Sequence, residues 1–394
     1  MEERFFIEVD CQQKNHDGER ICGDVFVSGK VKEENRIVTV LSDGMGHGVK
    51  ASVLATLTAT MALNFTKEHR EPEKTAEIIM KTLPECSERK MNYSTFTIID
   101  VDFNGNTHIL EYDNPECIVI RDKQVLDLER KIIVLQGECN AGKKLRMTSF
   151  KAKKDDRIIF TTDGVTQSGL GTPQFPFGWG NDNVARFAID MTKRNPQISA
   201  SDLANRIINL AHRNDGFQLK DDTSCGIIFM REPRELLICS GPPYDEANDA
   251  EMAAQVDKFV GKKLIMGATT GDIVARELGI KIKDGQEFAD PDLPPISYME
   301  GIDLYTEGIL TLSKTENILK RYSNRYTLGN GPADQVVKFM LESDEIHFLI
   351  GTRINLAHQD PSAGMDIEIR RTVIKRIALL LEEKFLKKIK TSYI

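Results

Sequence analysis

Hydrophobic and polar positions along the first 230 residues fall into short blocks of two kinds. RFFIEV, ICGDVFV and RIVTVLS are β-branched and aromatic runs broken by turns, the pattern of strands. A helical pattern follows, in which Val49, Val53, Leu57, Met61 and Phe65 recur every four residues. That spacing predicts a helix with one apolar stripe packed into the core. A second helix is predicted from Pro72, a residue suited to a first helical turn, to about Leu83. TFTIIDVD, NGNTHILEY, CIVIR, QVLDL, LRMTSF and DRIIFTTD then read as short strands separated by polar turns. Helices over about 183–194 and 200–214 precede a last strand, TSCGIIFM (223–230). Strands clustered between helix pairs predict two packed sheets flanked by helices, an α+β (αββα) sandwich rather than a parallel βαβ array.

At REPREL (231–236) the rhythm changes. Strands and helices now alternate: ELLICSGPP, a helix about 248–260, KLIMGATTG, a helix 271–279, ISYMEGIDLYTEG, further helices, IHFLIGTRIN, and a long last helix 366–390. This predicts a second, smaller, doubly wound α/β domain, so the expected division is 1–232 and 233–394. The stretch 283–296 reads as a surface loop.

Composition narrows the function classes. The chain has 394 residues, 40% hydrophobic and 28% charged, the profile of a globular protein large enough for two domains. A net charge of −8 argues against a general nucleic-acid binder, because phosphate neutralisation needs clustered Lys and Arg. One basic run, KFLKKIK (384–390), reads as the solvated face of the last helix. The seven cysteines form no CxxC pair, which fits reduced, buried thiols and a cytoplasmic setting. The acidic start MEERFFIEVD is not a signal peptide. The most apolar helical stretch, VLATLTATMALNF, has 13 residues, too few to cross a bilayer, so no membrane association is expected.

Candidate chemistry lies in the carboxylates. VTVLSDGMGHG (38–48) ends an apolar strand at Asp43-Gly44, and IIFTTDGV (158–165) repeats that form at Asp163-Gly164. An aspartate at a strand end stands clear of the sheet, and the glycine lets the chain turn while its carbonyl stays accessible. Asp24, in ICGDVF, and Asp221-Asp222, leading into TSCGIIF, sit at comparable edges. Each alone is compatible with an ordinary turn. If the sheets stack as predicted and these strand ends meet at one rim, together they would form the oxygen-rich set that hard divalent cations need.

ICGDVF, LSDGMGHGVKAS, FTTDGV and KDDTSCGIIF, in that order, resemble the motifs of the metal-dependent (type 2C) protein phosphatases. The likeness is nearest to the bacterial sporulation-phosphatase (SpoIIE-like) and stress-response branch, whose DGMGxG hallmark is complete, and it covers roughly residues 5–230. The resemblance implies a β-sandwich between helix pairs, two Mn²⁺ or Mg²⁺ ions per active site, and hydrolysis of phosphoserine or phosphothreonine in a phosphoprotein substrate. It further implies that Asp43 bridges the two metals, with the Gly44 carbonyl on one. Asp24 would serve that ion mainly through water, Asp163 and Asp221 would hold the other, and Asp222 would support them. No protein nucleophile is then needed. Two positions depart from the larger family: Met45 stands where a candidate general-acid His is found, and the phosphate-binding arginine has no assured match. His47 and Arg20 are the stand-ins, each with a structural alternative. The helix behind Asp43 is also a regulatory candidate, since a small shift of it would move a ligand.

In the second half, SGPPYD, GATTGD, MEGIDLYTEG and GTRIN are expected on one sheet edge, the usual place for a ligand. GATTGD suits either an anion site or plain helix capping, with Thr269, Thr270, Glu307 and Arg353 as weak contact candidates. The leading reading is a protein serine/threonine phosphatase regulated through its second domain, by a small ligand, a protein partner or homodimerisation. The alternative is a pseudophosphatase acting as a scaffold.

Overall fold

The computed structural model describes residues 5–31, 33–68, 78–82, 94–134, 142–323, 326–353, 363–385 and 387–394, with backbone alone for 363–369. The expected helix start at Pro72, Cys86 and Cys139 lie outside the described residues. The chain divides into two compact units, Met1–Glu232 and Pro233–Ile394.

The first unit has two antiparallel sheets. One runs in the order β1 (Phe6–Lys14), β11 (Thr223–Arg231), β10 (Arg157–Thr161), β6 (Ile118–Arg121), β7 (Gln124–Val125). The other runs β2 (Val25–Val31), β3 (Arg36–Ser42), β4 (Phe96–Asp102), β5 (Asn106–Tyr112), β9 (Lys144–Lys151), β8 (Arg130–Val134). Leu41, Ile99 and Ile109 of the second sheet pack with Ile7, Ile158, Phe160 and Ile228 of the first, and this forms the sandwich core. The outer face of the first sheet is covered by α4 (Asn181–Arg194) and α5 (Ala200–Asn214), through Val184, Ala188, Leu203, Ile207 and Ala211. The outer face of the second is covered by α1 (Gly48–Glu68) and a short helix α2 at 78–82, through Ala59, Ala62, Leu63, Ile79 and Met80. The four layers are the αββα sandwich predicted above.

The packing of α1 overturns one expectation. Val49 (63% exposed), Val53 (61%) and Leu57 (45%) lie outside the core. Its buried face is Ala51, Ala55, Thr58, Ala59, Ala62, Leu63 and Thr66. The reason is distance. Cβ atoms built on Gly23 and Gly44 would lie 3.0 Å from Ala51 Cβ and 2.1 Å from its carbonyl oxygen, so the helix start lies too close to β2 and β3 for a larger side chain.

The second unit is a five-stranded, wholly parallel sheet. Its order is β16 (Leu304–Thr306), β13 (Lys262–Met266), β12 (Glu235–Ser240), β17 (Glu345–Ile350), β18 (Lys388–Tyr393). α6 (Asp249–Lys258) and α7 (Ala268–Leu278) cover one face, where Met252, Val256, Ile273 and Val274 meet Leu237, Cys239 and Ile265. α8 (Ile309–Arg321), α9 (Pro332–Glu342) and α10 (Ala363–Glu383) cover the other, where Leu312, Leu319, Val336, Met340, Ile374 and Ile377 meet Leu236, Ile238, Ile346 and Phe348. The doubly wound architecture was legible from the alternation of elements. The last helix, however, ends at Glu383 instead of reaching 390, and Lys388–Tyr393 becomes an edge strand. Lys388 and Lys390, expected on a solvated helix face, instead pair with Glu345 across the ladder at 3.1 and 3.2 Å.

Candidate metal centre

Strand register brings the acidic positions together. Val25 of β2 pairs with Ser42 of β3, so Asp24 and Asp43, one residue beyond each, are neighbours at the end of the same two-strand ladder. In the other sheet Thr161 of β10 pairs with Cys225 of β11, and the Thr162 N–H donates to the Ser224 carbonyl at 3.1 Å. That sets Asp163 beside the Asp221-Asp222 segment. The two sheets are tied at this edge by Asp24, whose Oδ2 accepts from Thr162 Oγ1 at 2.8 Å and from Ser224 Oγ at 2.6 Å. The hinge after Asp43 needs its glycines: Gly44 bridges Ser94 under the first turn of α1, and Gly46 and Gly48 have φ of 90° and 73°.

Asp24, Asp163, Asp221 and Asp222 each have one oxygen fixed by the protein. Asp163 Oδ2 accepts from Gln167 Nε2 at 2.8 Å, Asp221 Oδ1 from the Asp222 N–H at 2.9 Å, and Asp222 Oδ1 from the His16 N–H at 3.0 Å. The remaining Asp24 Oδ1, Asp163 Oδ1 and Asp222 Oδ2 are buried with no hydrogen-bond partner. Buried carboxylate oxygens without donors fit a cation, which none of the surrounding side chains supplies. No three of these aspartates lie close enough to form one tight ion sphere. Among the described residues only Glu235, Glu345 and His347, in the second unit, place three ligand atoms within 4.8 Å of one another. There Glu345 is already held by two lysines.

The electrostatics agree with the unfilled oxygens. Asp43 is pushed far above the carboxylate range, first by burial and then by the charges of Asp24, Asp163 and Asp221. Burial also raises Asp24 to about 7, against the pull of its two hydroxyl donors, and Asp221 to about 6. Asp163 is raised by burial. In the absence of metal the folded state therefore holds protons that the unfolded chain releases near pH 4. This contribution to stability is full below pH 4 and is lost as pH rises through about 6 and 7. Divalent cations favour the ionised carboxylates. The gain in melting temperature on adding Mn²⁺ to chelator-treated protein should thus grow between pH 5 and pH 8. A gain that is constant or shrinks over that range would contradict it.

The lower-ranked positions fall as follows. His47 is exposed, its Nδ1 lies 2.7 Å from Glu19 Oε1, and its ring stacks on His16 with centroids 4.7 Å apart. Arg20 is exposed and Met45 is half-buried. In the second unit, Thr270 accepts from the Gly241 N–H at 2.8 Å, Glu307 Oε2 caps α8 through the Leu310 N–H at 3.1 Å, Arg353 pairs with Glu246, and Thr269 is exposed. Thr270 and Glu307 are thereby occupied in holding loops and a helix start. Thr162, Ser224, Glu19 and His16 were not singled out from the sequence. Thr162 and Ser224 adjoin the Asp motifs and could have been found there, whereas His16, eight residues before Asp24, carries no local signal. Two hollows, about 510 Å³ beside Arg36 and His108 and about 740 Å³ beside Lys283 and Tyr298, lie away from the aspartates.

The family model of stage II sporulation protein E (SpoIIE) matches residues 33–230, half of the chain. The chain belongs to the SpoIIE family. This is a family of PP2C-type phosphatases, and membership makes the chain a protein serine/threonine phosphatase by descent. No curated protein matches it in sequence. Solved structures similar to it include the phosphatase domain of SpoIIE from Bacillus subtilis, at 15% identity, 58% of this chain, 94% of that chain and a TM-score of 0.43. The RsbU and RsbW domains of Rv1364c from Mycobacterium tuberculosis align at 17% identity, 64% of this chain, 69% of that chain and a TM-score of 0.46. RsbX in complex with magnesium aligns at 16% identity, 58% of this chain, 98% of that chain and a TM-score of 0.40. Scores this low add nothing to the family match.

Proposed function

We propose that the SpoIIE-family unit is a metal-dependent phosphatase for phosphoserine and phosphothreonine, with Asp24, Asp43, the Gly44 carbonyl, Asp163 and Asp221 holding two Mn²⁺ or Mg²⁺ ions. The observation that carries this reading is the set of buried, partnerless oxygens on Asp24, Asp163 and Asp222 at one edge of the sandwich. Two divalent ions held there would supply an acidified water and offset the charge that develops on the phosphoryl oxygens. The chain's own residues hold and aim the ligands. Thr162 and Ser224 turn the bare oxygen of Asp24 to the site, and Gln167 does the same for Asp163. Asp222 fixes the 15–23 loop through the His16 N–H and acts from behind the ligands. In this reading Arg20, exposed on that loop, would meet the substrate phosphate, and His47, held by Glu19, would hand a proton to the leaving oxygen.

Regulation through the 233–394 unit belongs to the same proposal. It would act on α1, whose first turn rests against Gly44. No helix among the described residues is long and apolar enough to cross a membrane. The test is phosphate release from p-nitrophenyl phosphate and a phosphoserine peptide with Mn²⁺, with Mg²⁺ and with chelator, for the full chain and for residues 1–232. Metal-dependent turnover that differs between the two forms is expected. Its absence from both would favour a scaffold that acts by binding.

A further inference from the structure

Each segment that carries one of the aspartates also carries an exposed apolar side chain within seven residues of it. Ile21 (46% exposed) lies three residues before Asp24, and Val49 (63%) opens α1 behind Asp43 and Gly44. Leu170 (44%) follows Asp163 by seven residues, and Phe217 (64%) precedes Asp221 by four. These segments are joined in space. Gly23 and Gly44 both abut Ala51 in the first turn of α1, which brings Ile21 and Val49 to one side of the site. On the other side Lys220 Nζ donates to the Leu170 carbonyl at 3.2 Å, and the Gly169 N–H to Asp215 Oδ1 at 2.7 Å, which joins the loop after Asp163 to the loop before Asp221. Phe217 is held there at φ 66°, in the turn that closes α5, with its N–H on the His212 carbonyl at 2.9 Å and its ring edge-on to that of His212.

The apolar surface continues along α1. Val53 and Leu57 extend the line from Val49, and between Lys50 and Lys67 the helix carries no charge at all. A solvent-facing helix surface normally carries charged and polar residues. A regulator docked on α1 would account for Val49, Val53 and Leu57. It would not account for Ile21, Leu170 and Phe217, which share only their place around the aspartates. A substrate that brings a phosphate to these aspartates would meet the segments that carry them.

We infer that this rim selects the phosphoprotein substrate, taking a phosphoserine or phosphothreonine flanked on both sides by apolar, uncharged residues, with the segment beyond it lying along α1. The inference rests on the phosphatase reading. Selectivity arises because apolar flanks lose water-exposed area against Ile21, Val49, Leu170 and Phe217, side chains that offer a polar flank no hydrogen-bond partner.

The test uses the full chain with Mn²⁺ and three substrates: p-nitrophenyl phosphate and two phosphoserine peptides identical except for Leu and Val, or Asn and Gln, on either side of the phosphoserine. Partial burial of a few such side chains predicts a kcat/KM about tenfold higher for the apolar-flanked peptide. Ile21→Ser and Phe217→Ser should each lower that ratio severalfold and leave p-nitrophenyl phosphate turnover unchanged. Equal rates on the two peptides would overturn the inference while leaving the phosphatase reading intact. So would a ratio unaffected by either substitution, or substitutions that slow all three substrates in equal proportion. Absence of metal-dependent p-nitrophenyl phosphate hydrolysis would remove both readings.

Discussion

Asp43→Asn is expected to cut Mn²⁺-dependent phosphate release by about 10³-fold or more while raising the melting temperature of the metal-free protein. Both effects follow from one placement. Asp43 extends from the end of β3 into the space shared with Asp24, Asp163 and Asp221, and their charges together with burial hold it far above the carboxylate range. Without metal, Asp43 must take up a proton to be buried beside these carboxylates, which costs stability at neutral pH. An amide of the same size needs no proton, a gain on the order of 0.5–2 kcal/mol of the kind found when a functional site is relaxed. The same change removes a carboxylate that would hold the proposed ions. Phosphate release with Mn²⁺ and thermal melting in chelator, on the same preparation, check the two halves. Retained turnover would remove Asp43 from the centre of the mechanism, and a lowered melting temperature would mean the cluster is not self-repelling.

Gly44→Ala should be among the most damaging single methyls in the first unit. Its Cβ would stand 2.1 Å from the carbonyl oxygen of Ala51 and 2.6 Å from the carbonyl carbon, and a backbone group inside a helix cannot step aside as a side-chain tip can. Either the start of α1 or the Asp43 hinge must move, at about 3 kcal/mol or more, and activity should fall with stability. Gly46→Ala is the control. Gly46 has φ 90° but open space around its missing Cβ, so only the left-handed backbone cost of about 1–2 kcal/mol applies. Denaturant melts of the two variants separate crowding from backbone preference. If Gly46→Ala proves the more destabilising, the close contact between the hinge and α1 is not what holds this loop.

The pattern of apolar and polar positions already contained both layer arrangements. Strand alternation and helix spacing are local consequences of which faces must leave water, so they survive in a single sequence. The ends of TSCGIIFM and of the 200–214 helix could be read to within a residue because turn residues mark them. Two errors have a common cause. The stripe Val49 to Phe65 was taken for the core face of α1 because periodicity detects large residues. An equally regular alanine face, Ala51, Ala55, Ala59 and Ala62, was chosen instead because the helix approaches β2 and β3 closely. KFLKKIK was assigned to a helix since its basic residues suit a solvated face. Strand formation there depends on β17 offering a free edge and on Glu345 receiving Lys388 and Lys390, neither visible in the run itself.

What the sequence determined by itself was the order of elements, the change of rhythm after residue 230 and the presence of Asp-Gly hinges at strand ends. Those are properties of neighbouring residues, fixed by side-chain size, polarity and backbone freedom. Only the tertiary structure decided which oxygens are bare. Strand register sets Asp24 beside Asp43 and Thr162 beside Ser224, and sandwich packing then turns two hydroxyls onto one oxygen of Asp24 and leaves the other with no donor. That outcome depends on contacts between residues as many as 200 positions apart, and such distances are set by how layers pack rather than by any stretch of chain.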